Sequence, residues 1–81
     1  MSRFRIEFSN EARSALAVLP ADRRRHFDRG MTDLADDPYG ANSRAIKEHD
    51  YREALVADCL AVYYIAEGVL VVTVVRVIPA P

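Results

Sequence analysis

The sequence is poor in cysteine and tryptophan. Of its 81 residues, one is cysteine and none is tryptophan. A single thiol, Cys59, excludes a disulfide within the chain and offers no thiolate cluster for zinc. We therefore expect no metal and no other cofactor. We interpret Cys59 as a small buried apolar residue in a reducing cytoplasm.

Long apolar runs are also missing. The longest, VLVVTVV at 69–75, is much shorter than the ~20 residues that a membrane-spanning helix requires. The opening residues MSRFRIEFSN lack the apolar segment of a signal peptide. We therefore expect a soluble, cytoplasmic protein that has no membrane partner.

Neither sign of charge dominates the composition. Lys and Arg total 11 against 12 for Asp and Glu, so no global positive field attracts the chain to nucleic acid. Any basic surface must be local. The length predicts a single domain over 1–81. A domain of this size buries only about 60% of its unfolded surface, so a partner or a second copy is a reasonable source of added stability.

Hydrophobic periodicity predicts a strand followed by two helices. Phe4, Ile6 and Phe8 alternate with charged residues, which is typical of a half-buried strand. Ser9 or Asn10 can cap a short helix that Pro20 ends, and an apolar stripe predicts a second helix from 21 to near 36. Gly30 lies inside that helix, where we expect it to cost ~1 kcal/mol relative to Ala.

The second half of the sequence is typical of strands. After the loop DDPYGAN at 36–42, four segments follow at 44–48, 51–57, 60–66 and 69–78, and the last three are rich in Val, Tyr and Ile. Glu67-Gly68 predicts a two-residue hairpin turn, and Ala57-Asp58 is a weaker turn signal. The predicted fold is α+β: an N-terminal strand, a two-helix hairpin and a three- to four-stranded, mostly antiparallel sheet. The helices should cover one face, leaving the other as the working surface.

Four segments together resemble a known family. They are RFRIEFSNEARSALAVLP, LADDP, IKEHDYREALVADCLAVYYI and VLVVTVVRV, which span nearly the whole chain. The pattern is similar to that of the RelE/ParE superfamily of bacterial toxins. The resemblance implies a toxin of a type II toxin–antitoxin pair whose partner is a cognate antitoxin. Members akin to RelE cut messenger RNA on the ribosome, and those akin to ParE inhibit DNA gyrase.

The sequence departs from this family where cations are expected. The family pattern Tyr-Arg-x-x-Arg-x-Gly-Asp-Tyr-Arg-x-x-Tyr places arginines where this chain has Leu55 and Leu60. RNA cleavage needs cations around the scissile phosphate, and losing one preorganised donor typically costs about 10²–10³ in rate. Nuclease members also continue with His-Arg and a later Tyr, whereas this sequence reads Pro79-Ala80-Pro81. We therefore expect the general acid or base to be absent.

The remaining candidates for RNA chemistry are Lys47, Arg52 and Arg76, which the resemblance places on one face with Tyr63. Each can also be read structurally, as a solvated cation or a surface ion pair for the arginines and lysine. The same reading makes Tyr63 a sheet-packing residue.

The candidates for partner binding are an apolar pair and a basic run. Leu55 and Leu60 should form an exposed apolar patch of the kind that marks partner surfaces. The run Arg23, Arg24 and Arg25 lies at the start of the second helix, where positive charge opposes the helix dipole. It is either a solvated helix face or a contact for an acidic antitoxin segment or a nucleic-acid backbone.

Three functions remain open from the sequence. The first is a RelE/ParE-like toxin that acts by binding and lacks the standard nuclease residues. The second is a ribosome-dependent messenger-RNA endonuclease with an atypical basic site. The third is a non-toxic interaction module in which the leucine surface forms a homodimer.

Overall fold

The computed structural model describes residues 3–40 and 42–80 and contains a helical layer on a five-stranded sheet. The helices are α1 (Asn10–Ala17) and α2 (Ala21–Asp36). The strands are β1 (Arg5–Phe8), β2 (Ser43–Ile46), β3 (Glu48–Val56), β4 (Cys59–Ala66) and β5 (Val71–Pro79). The predicted α+β fold is confirmed, with one strand before the helices and four after them.

The sheet is mixed, in the order β1-β5-β4-β3-β2. β1 pairs in parallel with β5, and the four later strands pair as an antiparallel meander. Both helices pack on one face, because the buried side chains of α1 and α2 meet the inward residues of β1, β4 and β5. The opposite face, which we call the open face, carries no helix within the described residues. Among those residues, no helix is both long enough and apolar enough to cross a membrane.

The predicted helix boundaries are confirmed. Ser9 is the N-cap of α1, and its hydroxyl accepts a hydrogen bond from the amide of Ala12 at 3.1 Å. Ser9 also donates to the carbonyl of Val75 at 2.9 Å, which fixes the start of α1 against β5. Pro20 precedes α2 with a φ of −57°, and its carbonyl accepts the first bond of that helix, from Arg24. Both helix starts are therefore set by the residue types at their caps.

The tight two-residue turn lies at the weaker of the two predicted turn signals, and the stronger signal lies in a longer loop. Ala57 and Asp58 form the tight two-residue turn between β3 and β4, with φ values of 51° and 63°. The loop at 67–70 is longer, a single 3₁₀ turn that ends with Leu70 at a φ of 55°. Gly68 does not adopt positive φ, so the prediction of a two-residue Glu67-Gly68 turn was wrong. Asp tolerates the left-handed conformation better than most residues, which favours the tighter turn.

A β-bulge in β5 changes the direction of its last residues. Tyr63 lies opposite Val74 but its neighbour Val62 lies opposite Arg76, so Val75 is an extra residue. As a result Val74 and Val77, three residues apart, both face the core. Arg76 is thereby turned to the open face, opposite the direction that strict alternation from Val74 would give.

Gly30 allows α2 to approach β3 closely. A Cβ atom at this position would lie 2.6 Å from Cγ1 of Val56, a buried residue of β3. The helix remains regular through Gly30, so the glycine serves helix–sheet packing. The helix therefore contains a residue of low helix propensity because only a residue without a Cβ atom allows this contact.

We predict that Gly30→Ala destabilises the fold. Alanine improves helix propensity by ~1 kcal/mol, but overpacking against Val56 costs about 1–3 kcal/mol, so the net effect should be a loss of about 1 kcal/mol. Urea unfolding followed by circular dichroism measures it. Gly68→Ala is the control, because a Cβ there meets no atom within 4 Å and should change stability by less than ~0.5 kcal/mol. A Gly30→Ala variant as stable as the wild type would contradict the close approach.

Candidate functional site

The open face carries an apolar row at the end near the β3–β4 hairpin. Leu55 lies directly opposite Leu60, and Leu60 lies opposite Ile78. Leu55 is 73% exposed and Ile78 is 45% exposed. The expected leucine pair is therefore present, on the face away from the helices. We call Leu55, Leu60 and Ile78 the apolar row.

A charged row crosses the open face beside the apolar row. Arg44 lies opposite Glu53 and forms an ion pair with it. At the other end of the row, Nε of Arg76 lies 2.9 Å from a carboxylate oxygen of Glu11, at the start of α1. Each arginine of this row is thus neutralised by a glutamate. Because the Arg76–Glu11 pair is exposed, it contributes little stability, within about 1 kcal/mol.

These rows enclose a shallow depression of about 510 Å³. Its lining combines Glu11, Ile46, Tyr51, Glu53, Leu60, Val62, Val75, Arg76 and Ile78. Tyr51 packs against Tyr64 from the neighbouring strand, with ring centroids 6.3 Å apart. The depression therefore offers apolar and aromatic contact area with balanced charge, which suits recognition of a protein surface better than binding of a polyanion.

Arg52 does not belong to this face. It shares the inward side of β3 with Ala54 and Val56 and is only 8% exposed. Its Nε donates to the hydroxyl of Ser43 at 2.9 Å, and Nη1 donates to the carbonyl of His49 at 3.0 Å. A buried guanidinium held in this way supports the fold, because losing its partners would leave a charge uncompensated.

The predicted grouping of Lys47, Arg52 and Arg76 is therefore wrong. Arg52 and Arg76 point to opposite faces of the sheet. Tyr63, grouped with them, is fully buried on the helix side, and its hydroxyl donates to the carbonyl of Pro38 at 2.7 Å. Lys47 is exposed between β2 and β3, with a φ of 64°. No single surface carries the three cations.

The basic run at the start of α2 is held by local partners. Arg23 donates to the carbonyls of Ala57 and Asp58, at 3.4 Å and 2.9 Å, and so fastens the β3–β4 hairpin to the helix. Arg24 pairs with Asp28 at 3.1 Å, and Arg25 pairs with Asp22. These contacts give a structural reason for positive charge at this helix end. The role of Arg23, Arg24 and Arg25 in partner binding stays a prediction.

An aromatic cluster lies beside Arg52, at the edge of the sheet. The ring of Tyr39 stacks on His49 with centroids 4.6 Å apart, and the guanidinium of Arg52 lies 5.6 Å from the Tyr39 ring centre. The hydroxyl of Tyr39 donates to Asp50 at 2.6 Å. This hydrogen bond, together with burial, raises the pKa of Tyr39 to about 12. Burial is also the main cause that raises the pKa of Tyr63.

Within the described part of the chain, the open face combines cations with carboxylates that neutralise them. The two arginines of the charged row are paired with Glu53 and Glu11, and both histidines lie elsewhere. His26 is exposed on α2, and His49 stacks on Tyr39. Among residues 3–40 and 42–80, no group of three or more His, Cys, Asp or Glu could hold a metal ion.

Strand parity could have located Arg52 from the sequence. In a regular strand, residues three positions apart point to opposite faces. If Leu55 faces away from the helices, Arg52 must face them, as must its cross-strand neighbour Tyr63. No comparable feature of the sequence indicates the Arg76–Glu11 pair, because the pair depends on the bulge at Val75 and joins residues 65 positions apart.

The whole architecture is similar to that of known RelE structures. The isolated Escherichia coli RelE toxin superposes with a TM-score of 0.81 at 16% identity, over 96% of this chain and 85% of that one. A chain of the toxin–antitoxin complex RelBE2 from Mycobacterium tuberculosis matches with a TM-score of 0.81 at 20% identity, over 95% and 91%. A chain of the RelE–RelB complex from the archaeon Pyrococcus horikoshii matches with a TM-score of 0.77 at 18% identity, over 95% and 94%.

No protein-family model and no curated protein sequence matches the chain. The structural likeness extends over nearly all of the chain, whereas the identities are between 16% and 20%. The chain therefore has the RelE fold, as its sequence pattern predicted.

We predict that Tyr39 makes the fold sensitive to alkaline pH. An unfolded tyrosine ionises near pH 10, whereas the folded one keeps its proton up to about 12. Its contribution is therefore complete below about pH 10 and is lost as the pH rises through about 12. Between about pH 9 and 11, the free energy of unfolding from urea titrations should fall more steeply for the wild type than for Tyr39→Phe. Tyr64→Phe, which keeps the Asp50 bond, should follow the wild type. Equal slopes for the wild type and Tyr39→Phe would contradict the prediction.

Proposed function

We propose that the chain is the toxin of a type II toxin–antitoxin pair and acts on its target by binding rather than by cutting RNA. The RelE fold over nearly the full length is the observation that supports the toxin. One similar structure is described as the toxin–antitoxin complex RelBE2 and another as a RelE–RelB complex, which supports a cognate antitoxin as partner.

The distribution of cations supports action by binding. Cleavage through a ribose hydroxyl needs unpaired donors that converge on one phosphate. Here Arg76 is paired with Glu11, Arg44 is paired with Glu53, and Arg52 is buried on the other side of the sheet. The glutamates beside Arg44 and Arg76 also repel phosphate, so the open face is a poor nuclease site.

The apolar row supplies the recognition surface in this proposal. A side chain such as Leu55, exposed over 73% of its area, gains roughly 1.5–3 kcal/mol when a partner buries it fully. Leu60 and Ile78 extend that surface across three neighbouring strands. Exposed apolar surface of this kind is typical of interaction sites. The candidate targets for this surface are a gyrase-like protein, the ribosome and other proteins.

Two alternatives differ in their observable consequences. An endonuclease would have to use Lys47 or Arg76 after release of Glu11, and it would leave position-specific cuts in messenger RNA. A non-toxic module would use the apolar row to bind a second copy of itself. It would have no effect on growth.

We predict growth arrest without RNA cleavage. Induced expression in a bacterial host should stop growth, and co-expression of a small antitoxin encoded beside this gene should restore it. Messenger RNA from a translating extract should show no position-specific cuts by primer extension, and heat-treated protein serves as the control. Cuts that appear only with the native protein would favour the endonuclease. Unimpaired growth at a high level of soluble protein would contradict the toxin.

We also predict that the apolar row is needed for arrest. Leu55→Glu/Leu60→Glu places charges at a surface that a partner would dehydrate and adds no cation for RNA chemistry, so binding and growth arrest should be lost while the fold remains. Val18→Glu/Val69→Glu is the matched control, because Val18 and Val69 are 79% and 70% exposed away from the row. Thermal unfolding checks the fold, and light scattering measures the oligomeric state.

The outcomes of that comparison separate the alternatives. Full arrest by the leucine variant would exclude the apolar row as the recognition surface. Unfolding of the leucine variant would show that these leucines stabilise the monomer. A wild-type dimer that becomes monomeric in the variant, without any effect of either protein on growth, would favour the interaction module.

A further inference from the structure

A second concave surface lies on the helix side of the sheet. It is an open groove of about 410 Å³ between α2, the loop after α2 and β3. The floor is apolar and includes Leu34, Ala54, Val56, Ala57 and Tyr63. Its volume falls within the range of about 300–1,000 Å³ that is typical of ligand sites. The lining also includes Leu55 of the apolar row, whereas the residues of the charged row lie outside the groove.

The rim of this groove is acidic. Asp33 and Asp37 line it, and both are exposed. Neither forms an ion pair with any residue that the structure describes. The acids nearer the start of α2 differ in this respect, since Asp22 pairs with Arg25 and Asp28 pairs with Arg24.

The position of these acids is electrostatically unfavourable for the isolated chain. The carbonyl end of a helix carries partial negative charge, which repels carboxylates. Asp33 lies near the end of α2, Asp37 is its C-cap, and the last turn has no basic residue. Stability alone therefore does not account for them. A cation supplied from outside the described chain would relieve the repulsion.

The chemistry of the groove favours one class of ligand over others. A divalent metal ion is disfavoured, because no group of three or more ligating side chains is assembled in the described part of the chain. Nucleic acid is disfavoured too, because its phosphates would meet Asp33 and Asp37. An apolar floor below an acidic rim is complementary to an apolar side chain that has Lys or Arg beside it.

We propose that this groove binds an amphipathic protein segment in which Lys or Arg flanks a large apolar residue. The apolar side chain lies over Leu34 and Ala57, which are partly exposed in the groove, and the cations pair with Asp33 and Asp37. This inference goes beyond the proposed function, because it concerns the groove beside α2 and a partner segment that carries cations. It also holds whether or not the chain arrests growth.

A designed peptide tests the charge complementarity. The probe is a fluorescent amphipathic peptide of leucine and lysine, about 15 residues long so that it can form a helix. It should bind the full chain by fluorescence anisotropy, more tightly than a leucine–glutamate peptide of equal length. Asp33→Asn/Asp37→Asn should weaken binding roughly fivefold to tenfold, as expected for the loss of two exposed ion pairs.

Matched controls separate the groove from general attraction. Glu7→Gln/Glu48→Gln removes the same charge from exposed residues outside the groove and should change the affinity less than about twofold. An alanine–lysine peptide of equal charge should bind much more weakly, because it cannot fill the apolar floor. Thermal unfolding confirms that each variant is folded.

Three results would overturn the proposal. The first is equal binding of the lysine and glutamate peptides. The second is equal weakening by the groove variant and the control variant. The third is self-association of the wild type that only Asp33→Asn/Asp37→Asn abolishes, which would assign the groove to a second copy of the chain. None of these measurements uses growth, so failure here is distinct from failure of the proposed toxin function.

Discussion

The hydrogen bond from Tyr63 to the carbonyl of Pro38 fixes the arrangement of one whole side of the molecule. Tyr63 lies on β4, the central strand, and is fully buried, so its hydroxyl must find a partner inside the protein. Leaving such a group unpaired would cost about 1–3 kcal/mol. The carbonyl of Pro38, at the start of the loop after α2, is that partner at 2.7 Å. The loop is thereby held over the sheet.

The edge of the sheet depends on that loop. The hydroxyl of Ser43 donates to the carbonyl of Gly40 at 2.8 Å, which connects the loop to the first residue of β2. Arg52 then donates to the same hydroxyl at 2.9 Å. A guanidinium that the family resemblance would place in a nuclease site is therefore occupied by structural contacts. On the helix side of β3, Arg52 therefore stabilises the fold.

Local pairing explains how a nearly neutral chain has surfaces of different character. Arg76 and Arg44 are balanced by glutamates on the open face, and the basic run of α2 is balanced by its own aspartates and by hairpin carbonyls. Asp33 and Asp37 stand apart from this pattern. Partners of the two faces should accordingly differ: mainly apolar for the open face, and both apolar and cationic for the groove beside α2.

The sequence by itself determined the order of the elements, the helix caps and the leucine pair. These features depend on local periodicity and on cap chemistry, which residues close in the chain decide. The tertiary structure decided on which face of the sheet each cation lies and which partners it has. The bulge at Val75 turned Arg76 outward, the 66-residue separation between Ser9 and Val75 fixed α1 against β5, and the burial of Tyr63 positioned the partners of Arg52. These outcomes depend on register and on contacts between distant segments, because a shift of one residue in a strand moves each side chain to the other face.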